Sequence, residues 1–441
     1  GVFYFTPSGA DGIMNYREAR SFMEGKPGVI LPGLERIRAL LEELGNPEKG
    51  QKYIHIAGTN GKGSILSYLS SALSCAGYRV GRYISPTLYS YRERFQVNGE
   101  YISREDYVKL TEQIAEAVKR MEQRGISAPS AFEMETALCF LYFRQQNCDW
   151  TVLECGMGGR DDATNVIPAP ELAVFASISL DHMEYLGGSL AEIAEAKAGI
   201  IKEGCLAVTG EQTPEVLNVL RRVCRGKGVS LIEAELSRAE ILKNDLAGQR
   251  FRYKGMEVEI TLPGSCQIEN AVTALEALRA LQKKGIALSD AQILEGMKRA
   301  VWNGRFTCIG KRPYFFVDGA HNPDAARKLR DSIEQYFAGK RLIYINGVFA
   351  DKDYREIIRI TAPLASEIFT VATPGSARAL PAEALAEAVA EVNPRVRACG
   401  SLEEAVRQAY ETAGEEDVIL AFGSLSFIGE LTGIAAEYRE K

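Results

Sequence analysis

The sequence predicts an α/β protein of two domains, the larger built on a mainly parallel sheet and the smaller an open-sheet unit of the same class. Three observations carry this. Strand-like apolar runs alternate with helix-like segments almost throughout. One apolar strand, residues 53–57, runs into Gly58-Thr59-Asn60-Gly61-Lys62-Gly63-Ser64 and then directly into a helical pattern. Trp302-Asn303-Gly304-Arg305 breaks the alternation, and a fresh alternating unit follows it. The chain has 441 residues, more than a typical domain of roughly 100–200. The boundary therefore falls at 1–299 and 300–441, with a linker at about 298–305.

In chain order, residues 16–45 read as helical. A strand at 53–57, a helix at 63–76 and a strand at 79–84 follow, then helices near 104–124 and 131–146. Strands are expected at 150–154 and 172–179, and a helix at 189–200. The stretch 203–233 reads as strand, helix, strand. Residues 250–262 alternate like a hairpin through Phe251, Tyr253, Val258, Ile260 and Leu262. Helices near 267–284 and 289–299 close the first domain. The second has strands at 314–318, 341–346, 367–372 and 417–421, with a last helix at 425–438. Residues 1–13 read as a cloning remnant or a misplaced start.

Composition narrows the function classes. The chain is 46% hydrophobic and 25% charged, with a net charge of −6 and no basic block. Nucleic acid and anionic membranes are disfavoured as partners. No apolar run reaches the roughly 20 residues that span a bilayer, and no secretory signal is expected. Nine cysteines lie scattered without CxxC pairs. They read as reduced thiols of a cytoplasmic protein.

The segment Gly58 to Ser64 is a nucleotide-phosphate cradle. Its glycines let backbone N–H groups turn toward phosphate, Lys62 supplies a point charge, and Ser64 offers Mg²⁺ a hydroxyl. Only two residues separate Gly58 from Gly61, and Gly63 lies between Lys62 and Ser64, so the common spacing is not followed. Glu154 ends a neighbouring strand, where a nucleotide-bound Mg²⁺ needs a hard oxygen ligand. His182 follows Asp181 beyond another strand, at the edge that faces the ligand crevice in open sheets. It suits a metal or nucleotide role. Ser85 adds a hydroxyl near that edge. His55, inside the strand before the loop, reads as a packed core histidine. Lys197, taken alone, reads as a solvated helix lysine. Asp318 ends a strand of the second domain, where it either holds a ribose or amine or caps its own turn.

Together these pieces resemble the folylpolyglutamate synthase/dihydrofolate synthase family of the Mur ligase superfamily, over essentially the whole chain from Met14. The resemblance rests on HIAGTNGKGS, ECGMGGRDDATN, SLDHMEYLG with EAKAGIIK, DGAHNPDAA and GSLSFIGEL. Residues 85–103 and 132–143 look like the folate branch rather than the cell-wall branch. The resemblance implies a P-loop-type, parallel-sheet ATP-binding domain followed by a smaller Rossmann-like domain that binds the incoming amino acid. The implied enzyme is a cytoplasmic, monomeric ATP-dependent ligase. It joins L-glutamate to a dihydropteroate or tetrahydrofolate carboxylate through an acyl phosphate.

By the same resemblance, Gly58, Thr59, Asn60, Gly61, Lys62, Gly63, Ser64, Asn270, Arg305 and Asp318 contact ATP. Ser64, Ser85, Glu154 and His182 hold Mg²⁺, in as many as two sites. Lys62, Glu154, His182, Lys197, Asp318 and His321 act in catalysis, with Lys197 carbamylated. Phe132, Glu133, Asp161, Asp162 and Ala163 lie on the pterin side, and Ser424 lies near the nucleotide or glutamate. The chain departs from the family pattern at Thr87 and Cys266, where histidine is usual, and at Asn303, where proline is usual. None of these is an expected metal ligand. Two other readings are another Mur-type carboxylate–amine ligase and a nucleotide-dependent switch that does not ligate. Residues 85–103 and 132–143 count against the first. The set Glu154, His182, Lys197 and Asp318 counts against the second.

Overall fold

The computed structural model describes residues 14–25, 33–181 and 183–439. Residues 1–13, read as a remnant or a misplaced start, and His182 lie outside the described residues. The chain divides into two compact units, one of residues 1–85, 92–237 and 270–299, the other of 86–91, 238–269 and 300–441.

The first unit contains β1 (Tyr53–Ala57), β2 (Val80–Tyr83), β3 (Phe95–Val97), β4 (Glu100–Tyr101), β5 (Trp150–Glu154), β6 (Leu172–Phe175), β7 (Leu206–Thr209) and β8 (Leu231–Glu233). Among the described residues they form one sheet in the order β4-β3-β2-β5-β1-β6-β7-β8. From β2 to β8 every pairing is parallel. β3 and β4 extend the sheet antiparallel. β1, β5 and β6 are buried at every residue, which is why they read as continuous apolar runs rather than alternating ones. Each buried Leu, Val or Phe contributes about 1.5–3 kcal/mol. β1 lies between β5 and β6, with Ile56 opposite Glu154 and Ala57 opposite Phe175. The carboxyl ends of three strands thus share one edge, where the connections go from β1 to β2 on one side and from β5 to β6 on the other.

The second unit has β9 (Ala239–Asp245), β10 (Gly248–Tyr253) and β11 (Met256–Ile260) in an antiparallel sheet. A second sheet comprises β12 (Thr307–Lys311), β13 (Tyr314–Asp318), β14 (Leu342–Asn346), β15 (Glu367–Thr370), β16 (Val396–Ala398) and β17 (Val418–Phe422). Its order is β12-β13-β17-β14-β15-β16, parallel except at β12. Helices cover both faces and enclose two separate cores.

Several expectations are corrected. Among the described residues, the expected helical stretch 16–45 holds two helices, Tyr16–Glu24 and Glu35–Glu43. The first ends at Gly25, whose φ is 56°. The expected strand 172–179 stops at Phe175 because the next residues turn to hold the glycine loop. The hairpin at 250–262 has a third strand, β9. The units also depart from a linear cut at 299/300, since 86–91 and 238–269 group with the second. Among the described residues no helix is long and apolar enough to cross a membrane, and all nine cysteines are free thiols.

Candidate active site

The loop after β1 is held by its neighbours before any ligand is considered. Thr59 N and Asn60 N donate to Ser177 O at 2.8 and 3.2 Å. Thr59 Oγ1 donates to Ser179 O at 3.0 Å and accepts from Ser179 N at 3.0 Å. Gly61, at φ 94°, begins the helix Lys62–Cys75 in the left-handed region, where L side chains are strained. A Cβ there would also run into Asn270 Oδ1, so the buried amide of Asn270 lies directly against the loop. Gly61→Ala is expected to destabilise the chain by roughly 1–2 kcal/mol and to raise the KM for ATP. Urea unfolding and ATP-dependent rates check both.

Two lysines converge on this loop. Lys62 Nζ donates to Gly58 O at 3.1 Å and to Thr59 O at 3.3 Å, and lies 3.9 Å from Glu154 Oε1. Lys197 Nζ donates to Gly58 O at 2.9 Å. Lys197 is 4% exposed, so the solvated lysine read from its helix is corrected. Burial first, and then the Lys62 charge, lower its pKa to about 7. Glu154 is 6% exposed, and its Oε2 lies 3.5 Å from Ser85 N. Ser64 is also buried. Ser64 and Glu154 are thus buried hard oxygen donors at this loop, with the Ser85 backbone beside Glu154, and a hydroxyl with a carboxylate suits Mg²⁺.

The loop after β5 is built differently. Asp162 is buried. Its Oδ2 accepts Met157 N at 2.9 Å, and its Oδ1 accepts Thr164 N at 3.0 Å and the Thr164 hydroxyl. Burial raises its pKa while these bonds oppose the shift. Asp162, expected at the pterin side, is therefore engaged by its own loop, while Asp161 is exposed and Ala163 buried. Asn165 Nδ2 staples the loop to Arg160 O and Gly199 O, each at 3.1 Å. Phe132 lies over Gly156, where a Cβ would come within 2.6 Å of its ring. Glu133 Oε2 closes the capping box with Ser130 N at 2.7 Å and accepts Arg36 Nε at 3.3 Å. Its Oε1 is buried with no hydrogen-bond partner among the described residues.

His55 is buried, as expected, but it is not merely packed. Nε2 lies 2.7 Å from Thr164 Oγ1 and 3.2 Å from Cys155 Sγ. Burial, and then the Lys202 charge, lower its pKa to about 3, so the ring is neutral. Thr164 lies within ECGMGGRDDATN but has no expected role there, and Arg36 carries no motif signal. The apolar context of His55 in β1 hid its partner.

In the second unit Asp318 does cap its turn. Oδ2 accepts Phe306 N and Oδ1 accepts Ala320 N, each at 2.7 Å. Burial raises its pKa, and Arg305 opposes that shift. A Cβ on Gly319 would run into Arg305 Nη1, so the guanidinium crosses the same turn. His321 Nδ1 lies 2.8 Å from Gly319 O. A carbonyl only accepts, so Nδ1 carries the proton. Ser424 is buried, with its hydroxyl 2.8 Å from Ser426 Oγ at the start of the helix Leu425–Arg439. Asp318 and His321 thus lie on the turn after β13, which the Arg305 guanidinium crosses, while Ser424 follows β17, the strand paired with β13.

Comparison with known proteins follows this geometry. Residues 56–278 match the Mur ligase middle domain, and residues 304–425 match the Mur ligase glutamate ligase domain. The chain is 35% identical over 427 residues to the dihydrofolate synthase/folylpolyglutamate synthase of Bacillus subtilis, covering 94% of this chain and 98% of that one. It is 34% identical over 423 residues to the folylpolyglutamate synthase of Lacticaseibacillus casei, covering 93% and 96%. A Mycobacterium tuberculosis folylpolyglutamate synthase complexed with ADP superposes with a TM-score of 0.85 at 32% identity, over 96% of this chain and 98% of that one. An Escherichia coli FolC in complex with DHPP and ADP gives 0.84 at 30%, over the same shares. With both ligase domains matched and near-complete coverage by such relatives, the chain belongs to the folylpolyglutamate synthase/dihydrofolate synthase family of Mur ligases.

Proposed function

We infer that this chain is an ATP-dependent ligase that adds L-glutamate to the carboxylate of a folate-type substrate, releasing ADP and phosphate. The observation that carries it is the convergence of Lys62 and Lys197 on the Gly58 carbonyl with Glu154 beside Lys62. The M. tuberculosis and E. coli relatives complexed with ADP support nucleotide binding, which is proposed here for the loop 58–64. The E. coli complex with DHPP supports a pterin-type co-substrate, and both dihydropteroate and tetrahydrofolate forms are proposed.

The chemical problem is an anion attacking an anion, so catalysis rests on neutralising charge and aligning the reactants. In the proposed sequence the substrate carboxylate takes the γ-phosphoryl group and ADP leaves. The glutamate amine then displaces phosphate. Lys62 and the amides of residues 58–64 orient the β- and γ-phosphates. Glu154, Ser64 and Ser85 would hold Mg²⁺, with His182 assigned by resemblance. Bound there, Mg²⁺ offsets phosphate charge. Asn270 faces the loop as a nucleotide contact. In the second unit, Arg305 and Asp318 are proposed as nucleotide contacts, and His321 and Ser424 as groups that receive the incoming amino acid. Phe132, Glu133 and Asp161 to Ala163 form the pterin side.

Lys197 is proposed to be carbamylated. Its buried, weakly basic ammonium first gives up a proton; the neutral amine then adds to CO₂, forming an N–C bond and losing a second proton, so a cation becomes an anionic oxygen donor. A cytoplasmic monomer acting on small molecules, without nucleic acid or membrane partners, is the proposed working form. The test is ADP release with dihydropteroate or tetrahydrofolate, with and without glutamate. Release that requires both co-substrates is expected. Turnover independent of both overturns the proposal.

A further inference from the structure

Between β1 and the loop after β5 runs a buried polar chain whose inner members, His55 and Thr164, have no part in the proposed reaction. His55 is 0% exposed, and Thr164, Asp162 and Cys155 are buried around it. Asp162 accepts backbone N–H groups on both oxygens, the arrangement of an ionised carboxylate, which only accepts. The Thr164 hydroxyl must then donate to Asp162 Oδ1. A hydroxyl has one proton, so the 2.7 Å contact with His55 runs the other way, with Nε2–H donating to Thr164 Oγ1. The chain therefore has a direction, from His55 through Thr164 to Asp162. It leaves His55 Nδ1 buried with no partner among the described residues, a desolvation cost that an apolar side chain would avoid.

The loop fixed in this way is the one on which Phe132 rests, through Gly156. The nucleotide loop is strapped separately, to Ser177 and Ser179. We propose that His55 is a positioning residue: through Thr164 and Asp162 it anchors residues 156–162 to β1 and so sets the surface that receives the pterin end of the substrate. This rests on the folate-ligase reading above. It assigns the histidine of the first motif to substrate fit rather than to ATP.

Thr164→Val removes the hydroxyl at nearly equal volume, and His55→Leu removes the ring donor. Thr164→Ser and His55→Gln restore a donor. In the first pair the KM for the pteroate or folate substrate is expected to rise up to about tenfold, the order carried by losing one hydrogen bond that holds a docking surface. The KM for ATP and kcat should stay within about twofold, and the restoring variants should recover most of the loss. Amide hydrogen exchange at Met157 and Thr164, whose N–H groups bind Asp162, should accelerate in Thr164→Val without any turnover being needed. An unchanged substrate KM in Thr164→Val overturns the proposal, as does an equal rise in both KM values. Should His55→Leu fail to fold, Thr164→Val decides. Should the wild type release no ADP with folate or pteroate, the functional reading fails. The exchange rates then decide alone whether the chain anchors the loop, and unaltered protection overturns it.

Discussion

Glu154→Gln is expected to lower glutamate-dependent ADP release by about 10²-fold or more, since loss of one preorganised charge-stabilising group has effects of that order. Glutamine keeps the shape of the side chain and its contact with Ser85 N, 3.5 Å away, but makes the ligand neutral where a hard cation needs an anionic oxygen. It also removes the carboxylate 3.9 Å from Lys62. The loss should ease partly as Mg²⁺ is raised, because binding of the ion is what the substitution weakens. Glu154→Asp should fall between the two, with the charge kept and the reach shortened. Urea unfolding of all three proteins separates catalytic loss from unfolding. Near-normal turnover in Glu154→Gln would remove this residue from the metal set.

Lys197 gives the second large effect, in two parts. Lys197→Ala should lose most activity, and small carboxylates such as acetate or formate should restore part of it if a carbamate is the working group. Failure of every small carboxylate to restore turnover would count against the carbamate. The second part is stability. The pKa of Lys197 falls from 10.5 to about 7 on folding, so between those values the unfolded chain binds more protons, and stability rises with pH. Below about pH 7 both states are protonated, and the full penalty of a buried ammonium is carried. In buffer depleted of CO₂, Lys197→Met should therefore be more stable than wild type below about pH 7. The advantage should shrink through the window above it and be absent beyond pH 10.5. Urea midpoints at pH 6 and pH 9 measure the difference, and an equal offset at both would show that the lysine is not the cause.

Much of this was legible in the sequence because burial on both faces writes itself as an unbroken apolar run. Ile54, Ile56 and Ala57, and Val152 with Leu153, marked β1 and β5, and the residues that follow each strand marked the site edge. What was missed had no such signature. β9 reads AEILKND and is mostly exposed or half-exposed, so no periodicity marked it. β16 is only Val396–Ala398 at an edge. Lys197 lies among alanines in a helix whose sequence does not say which face is covered, so its burial was invisible. Asp162 stood in the right motif, but nothing in that motif tells that its oxygens are already taken by Met157 and Thr164 in the fold.

The second unit is stitched from three stretches of chain, and this bears on how the protein is made. Leu88 belongs to it and lies under Gly429, where a Cβ would collide with its carbonyl oxygen. Tyr336 donates to Asn244 at 2.6 Å, and Ser265 N donates to Ser332 Oγ at 2.9 Å. At about 5–20 residues per second on the ribosome, Leu88 waits on the order of tens of seconds for its partner to be synthesised. The sheet β9–β11 likewise emerges before the helix Pro323–Tyr336 that receives it. Expressing residues 300–441 alone would omit both early pieces, whereas a gene fragment for the second unit must carry 86–91 and 238–269 as well.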